Sequence, residues 1–240
     1  MKILVTNDDG IQAESLKILV KKAMQFGEVL CIAPIEEQSG KSQSLIIKEP
    51  FIFKQVEDII AGVKTYVISS TPADCVRVAY YYLKEDFDIV LSGINNGYNL
   101  GEDITYSGTV GAACEGVFHN KKAIAFSAAR NGFSNIEQNL DIVFNEFESM
   151  KLLEKHDFWN VNICENPKGI KYTMQGYTNF DSYFVKLDGD YIAARGAPDH
   201  ARDKDRELSD VSAIYNNYIS ITPLTADRTK HEVLKKVINK

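Results

Sequence analysis

The chain begins MKILVTNDDG, so an apolar run ends in two adjacent acids, Asp8 and Asp9, followed by Gly10. Ionised carboxylates this close repel each other. Either a cation sits on them, or one holds its proton to a higher pH than usual. Asn, Asp and Gly also build turns, so a capped turn is the competing reading. A second polar stretch is Glu36-Glu37-Gln38-Ser39-Gly40-Lys41-Ser42. Its Gly-Lys-Ser ending is not a P-loop, because the glycine needed five residues before Gly40 is Ile35. Taken alone, this stretch reads as a surface loop that carries hydroxyls. A third stretch, SGINNGYNLGEDITYSGTVGAA, runs from Ser92 to Ala113. Its glycines would let backbone approach a ligand closely. Ser107-Gly108-Thr109 at a helix start would aim N–H groups and hydroxyls at an anion. The alternative is a cap on a close-packed helix, but a loop this long in a compact domain tends to be functional.

No Cys/His cluster competes with these stretches. His119, His156, His200 and His231 are dispersed, and each reads as a surface or packing residue. Cys31, Cys75, Cys114 and Cys164 form no C-x-x-C pair and read as buried free thiols. An oxygen-only site points to a hard cation, Mg²⁺ or Mn²⁺, rather than zinc. A cation beside an anion pocket implies phosphate chemistry.

The elements that must position these groups can be read from hydrophobic period. Lys2–Thr6, Glu28–Ala33, Phe87–Leu91 and Ala123–Ser127 read as strands buried on both faces, and Phe51–Val56 and Thr65–Ile68 as shorter strands. Ala13–Met24, a helix capped by Thr71 with Pro72 first, Thr109–Phe118 and Asn139–Met150 alternate with them. In the Thr71-capped helix, Val76, Ala79, Tyr80 and Leu83 are expected to face inward. The alternation predicts an α/β fold, a Rossmann-like, mostly parallel sheet with helices on both faces. Ligands of such sheets bind outside the carboxyl ends of the strands, where all three polar stretches fall. Beyond about residue 155, short strands are expected at Asn160–Ile163, Lys171–Met174, Tyr183–Leu187 and Tyr218–Thr222. Ala197–Asp210 reads as a charged loop or hairpin arm. Thr229 and Glu232 form a capping box for a last helix striped by Val233, Leu234, Val237 and Ile238. The division is a catalytic core over 1–155 and a β-rich extension over 156–240, part of which returns to the core.

A chain of 240 residues, 45% apolar and with net charge −6, suits one globular unit and lacks a general nucleic-acid footprint. No signal peptide or membrane span is visible, and the dispersed thiols suit a reducing cytoplasm.

Five segments taken in order, ILVTNDDG, APIEEQSGKSQS, TPADCV, LSGINNGYNLGEDITYSGTVGAACEG and YISITPL, resemble the SurE (survival protein E) family of metal-dependent nucleotidases. The resemblance implies one divalent cation per subunit, Mg²⁺ or Mn²⁺, held by Asp8, Asp9, Ser39 and Asn95. It implies a phosphate site at Asn96, Ser107, Gly108 and Thr109. The implied substrates are nucleoside 5′- and 3′-monophosphates, with polyphosphate trimming in some members. The implied assembly is a homodimer or homotetramer that exchanges C-terminal segments. Ser70 in place of a usual glycine, Ser209-Asp210 in place of Thr-Asp, and the Asn162–Pro167 stretch depart from the family pattern without touching these positions.

The expected reaction is attack on phosphorus by a water activated on the cation, with Asp8 and Asp9 as the catalytic acids. Either could accept the water's proton. Tyr98 and Tyr106 read as loop packing or as platforms for a base. A phospho-aspartate phosphatase is the enzymatic rival, but it needs an acid at position 10, which is Gly10. A receiver-like signalling domain, or another non-enzymatic metal- and nucleotide-binding regulator, is the second alternative. A receiver would be roughly half this length.

Overall fold

The computed structural model describes residues 1–178, 180–198, 203 and 205–238. The elements in chain order are β1 (Lys2–Thr6), α1 (Glu14–Ala23), β2 (Glu28–Pro34), β3 (Phe53–Val56), β4 (Lys64–Ile68), α2 (Pro72–Arg77), β5 (Ile89–Asn96), α3 (Gly108–Phe118), β6 (Lys122–Ala128), α4 (Ile136–Ser149) and α5 (Leu152–Lys155). Then come β7 (Phe158–Ile163), β8 (Ile170–Tyr172), β9 (Phe180–Lys186), β10 (Ile192–Pro198), α6 (Asp210–Tyr215), β11 (Ile219–Pro223) and α7 (His231–Ile238).

Nine strands form one sheet in the order β3-β4-β2-β1-β5-β6-β7-β11-β8. The strands from β4 to β7 run parallel, and β3 and β11 pair antiparallel with their neighbours β4 and β7. The predicted α/β architecture is thus present. Alternation along β1 shows why both faces are covered. Ile3 and Val5 join Leu16, Leu19, Leu140 and Val143 of α1 and α4 on one side. Leu4 joins Val76 of α2 and Ala112 and Ala113 of α3 on the other. Three sheet strands, β7, β8 and β11, come from beyond residue 155, so the sheet crosses the expected division.

Several local expectations change. Tyr80 does not face inward; it is 37% exposed and stacks on the His119 ring, with centroids 4.2 Å apart. The cause is a π-helical turn, Val78–Tyr82, which adds a residue and rotates Tyr80 off the inner face. The hairpin is β9–β10, earlier than the expected arm. Of that arm, residues 199–202 and 204 lie outside the described residues, and with them His200, expected as a surface or packing residue. No capping box forms at Thr229 and Glu232 among the described residues. Instead Asp227 accepts the Thr229 N–H at 2.8 Å and bonds His231 at 2.7 Å. The stripe on α7 is exposed at Val233, Leu234, Val237 and Ile238, so it covers no core of its own chain. His119 bonds Glu115 and His156 bonds the Leu224 carbonyl, which fits packing roles. All four thiols are free. No helix among the described residues is long and apolar enough to cross a membrane.

The small residues of α3 set its distance from its neighbours. A Cβ on Gly116 would come 2.6 Å from Val90 Cγ2 of β5. A Cβ on Gly111 would come 2.4 Å from the carbonyl oxygen of Ser42. That contact is backbone on backbone, so the loop after β2 must move if the space is filled. Gly111→Ala is therefore expected to lower stability by about 1–3 kcal/mol through overpacking, despite alanine's higher helix propensity. Urea unfolding checks this.

Candidate active site

Four segments meet at the carboxyl ends of β1, β2 and β5. After β1 the chain turns sharply. Asn7 Nδ2 donates to the Gly10 carbonyl at 2.9 Å, and Gly10 takes φ +88°, a left-handed conformation that suits glycine. The turn leaves Asp8 and Asp9 at the strand end. The Gln38 N–H donates to the Asp8 carbonyl at 2.7 Å, which brings Ser39 alongside. The Asn96 N–H donates to Asp9 Oδ2 at 3.0 Å, which brings the end of β5 to the same place. The fourth segment is the start of α3. The Thr109 N–H donates to Asp8 Oδ2 at 3.2 Å, and its hydroxyl donates to Asp8 Oδ1 at 2.5 Å. Helix and carboxylate touch so closely that a Cβ on Gly108 would sit 3.0 Å from Asp8 Cβ.

Asp8 is 3% exposed, and burial pushes its pKa up to about 6. The Thr109 hydroxyl opposes the rise and the Asp9 charge adds to it. Asp9 is also shifted upward, chiefly by burial, with the Asn96 N–H opposing and Glu37 adding. No ion pair to either acid exists among the described residues. Two carboxylates without a counter-charge, flanked by neutral oxygens, are a donor set that a hard cation fits. The flanking groups keep acceptor oxygens available. Asn95 spends its Nδ2 on the Gly97 carbonyl at 2.8 Å, which leaves Oδ1 as an acceptor. Ser39 gives its proton to Glu37 Oε1 at 2.5 Å, which leaves lone pairs on its oxygen. Among the described residues no group of three or more His, Cys, Asp or Glu is arranged to hold a metal. This site would rely on two acids plus amide and hydroxyl oxygens.

The expected phosphate groups lie beside the acids. Asn96 is exposed, and its Oδ1 accepts the Asn131 N–H at 2.8 Å, while its Nδ2 has no acceptor among the described residues. Ser107 caps α3 by accepting the Val110 N–H at 3.1 Å and keeps its own hydroxyl hydrogen. The Gly108 N–H is in the first turn of α3, where backbone donors have no helical acceptor. Thr109 differs, since both its donors are engaged on Asp8. Tyr98 packs with Leu100, Cys164, Val211 and Ile214. Tyr106 is 63% exposed, so packing is not its role.

Sequence reading missed what holds the loop between β5 and α3. Asn99 is buried; its N–H donates to Asn162 Oδ1 and its Nδ2 to Ser127 Oγ, at 2.9 and 2.8 Å. Asn160 and Asn162 each donate to the Asn99 carbonyl at 2.9 Å. The signal was present as two asparagines at alternate positions of an otherwise apolar strand, FWNVNI.

Comparison with known proteins agrees with this architecture. The family model described as "Survival protein SurE" matches residues 3–182. A protein named 5'-nucleotidase SurE from Clostridium botulinum (strain ATCC 19397 / Type A) is 37% identical, covering 98% of this chain and 97% of that protein. Its namesake from Alkaliphilus metalliredigens is 34% identical, covering 100% and 98%. The crystal structure of SurE protein from Aquifex aeolicus superposes with a TM-score of 0.76 at 34% identity, covering 99% of this chain and 98% of that one. With a matching sheet, a matching family model and relatives aligned end to end, the chain belongs to the SurE family.

Proposed function

We propose that this protein is a divalent-cation-dependent phosphomonoesterase that releases phosphate from nucleoside 5′-monophosphates, with 3′-monophosphates and polyphosphate ends as further substrates. Membership of a family of 5'-nucleotidases makes it a hydrolase of phosphoric monoesters. The observation that carries the finer reading is the uncompensated Asp8–Asp9 pair pressed against the first turn of α3. Asp8, Asp9, Ser39 and Asn95 would hold one Mg²⁺ or Mn²⁺. Bound there, the cation would polarise the phosphate and lower the pKa of water. The Asn96 amide, the Ser107 hydroxyl and the Gly108 N–H would bind the phosphate oxygens and the charge that grows on them. Thr109 acts through Asp8, whose two oxygens it orients. Direct contact of Thr109 with phosphate would require its hydroxyl to leave Asp8. Asp9 Oδ1, which has no donor among the described residues, is assigned the proton of the attacking water. Residues 1–155 carry these groups, and 156–240 supply support and assembly surfaces. The four free thiols suit a reducing compartment such as the cytoplasm.

Asp9→Asn is expected to lower AMP hydrolysis by more than about 100-fold, beyond the 10–100-fold typical of losing an outer-shell partner. The fold should remain intact by circular dichroism. Saturating Mn²⁺ should raise the melting temperature over EDTA by roughly 5–10 °C when free metal is a hundredfold above its dissociation constant. Equal melting temperatures would remove the cation site. A direct displacement also predicts inversion at phosphorus with an isotopically chiral thiophosphate analogue of AMP. Retention would mean a phosphorylated aspartate, but Asp8 has both oxygens held and Gly10 offers no acid. The exposed stripe of α7 supports a homo-oligomer joined by exchanged C-terminal segments. Deleting residues 226–240 should reduce the mass seen by light scattering, and an unchanged mass would overturn that assembly.

A further inference from the structure

Asp210, in the C-terminal part of the chain, is only 1% exposed and has no cationic partner among the described residues. Its carboxylate bonds backbone from separate segments. Oδ2 accepts the Gly101 N–H at 3.0 Å. Oδ1 accepts the Gly176 N–H and the Val211 N–H, both at 2.8 Å. Gly101 lies 109 residues from Asp210 in sequence and opens the 3-10 turn Gly101–Thr105. That turn leads directly to Tyr106, Ser107 and Gly108, the start of α3. Gly101 has φ +52°, and a Cβ there would come 2.6 Å from the Thr178 nitrogen. The loop therefore presses backbone to backbone on residues 176–178, with the Asp210 carboxylate as the clasp. A charged acceptor for three N–H groups is stronger than a neutral one, and removing it leaves those donors buried and unpaired. Asp210 reaches neither Asp8 nor Asp9; its link to the site is through Gly101 and the turn.

We propose that Asp210 is a positioning residue for hydrolysis: it fixes the Gly101 turn and so sets where Ser107 and Gly108 meet the phosphate. The inference rests on the phosphate-site reading above. It also gives Gly176 and Asp210 a part in positioning the reaction rather than only a support for assembly.

The test compares intact wild-type protein with Asp210→Asn, Asp210→Ala and Gly101→Ala, using AMP with Mn²⁺ and hydrogen exchange read by mass spectrometry. Asp210→Asn keeps one acceptor oxygen, and Gly101→Ala breaks the clasp from its other side, so failure of Asp210→Ala to fold does not end the test. In folded variants, well below their melting points, kcat for AMP should fall about 10–100-fold, as expected for a reacting group displaced by about an ångström. Asp210→Asn should fall less than Asp210→Ala. The Mn²⁺ concentration for half-activation should stay within about twofold, because Asp8, Asp9 and Ser39 follow β1 and β2 and Asn95 is held in β5, ahead of the Gly101 turn. In the Asp210 variants, amides of 102–108, beyond the directly bonded Gly101, should exchange faster although remote in sequence from the substitution. A buried acid with a purely local role would speed exchange only near 174–178 and 209–213 and at Gly101 itself, and leave kcat unchanged, and that result overturns the inference. An inactive wild type would instead refute the proposed function. Exchange at 102–108 would then still decide the clasp: faster exchange upholds it and unchanged exchange overturns it.

Discussion

The contact between Asp8 and the first turn of α3 is the constraint on which the rest of the site depends. A carboxylate almost without solvent is costly to ionise, and Thr109 offsets part of that cost with a backbone and a hydroxyl donor. The contact forms only if the helix start comes within touching distance of the strand end. Gly108 permits this, since any side chain there would meet Asp8. The partial positive charge of the helix N-terminus favours the acid, and Ser107 and Gly108 at the same helix start keep donors uncommitted. One contact therefore places an acid pair and the donor-bearing start of α3 side by side, the arrangement on which the proposed phosphate chemistry rests.

Close backbone approach extends from there. Gly111 admits the Ser42 carbonyl, and the Ser42 N–H donates to the Tyr106 carbonyl at 2.9 Å, so the loop after β2 rests on the start of α3. Gln43 Nε2 reaches the buried Glu115 of α3 at 2.8 Å, and Arg77 and His119 also bond that carboxylate. Ser39 is thus carried by a loop pinned a few residues further on. The loop after β5 is pinned from the opposite side by Asn160 and Asn162 of β7 and by Asp210. Both loops that flank the acids are held by buried polar side chains. These cost free energy unless paired, and most of their atoms are.

The C-terminal extension consequently does two things. Through β7, β11 and β8 it widens the sheet, and through Asn162 and Asp210 it holds the loop after β5 from behind. Its outer parts, the β9–β10 hairpin and α7, expose Tyr191, Ile192, Val237 and Ile238 without a core to cover. Contiguous apolar surface of this kind marks interaction sites in other proteins.

The parallel sheet was legible in the residue pattern, because unbroken apolar runs between amphipathic helices have one economical arrangement. So were the three polar stretches at strand ends, because side chains that can bind metal or phosphate are conspicuous after buried strands. The family membership was legible in those same stretches. Packing was needed to show that Thr109 bonds Asp8, that Tyr80 turns outward on a π-helical turn, and that Asp210 grips Gly101 across 109 positions. The difference is one of range. Hydrophobic period and capping are written within a few residues of one another. The partner of a buried carboxylate or amide is fixed by which distant backbone the packed sheet brings within about 3 Å, and no local pattern encodes that.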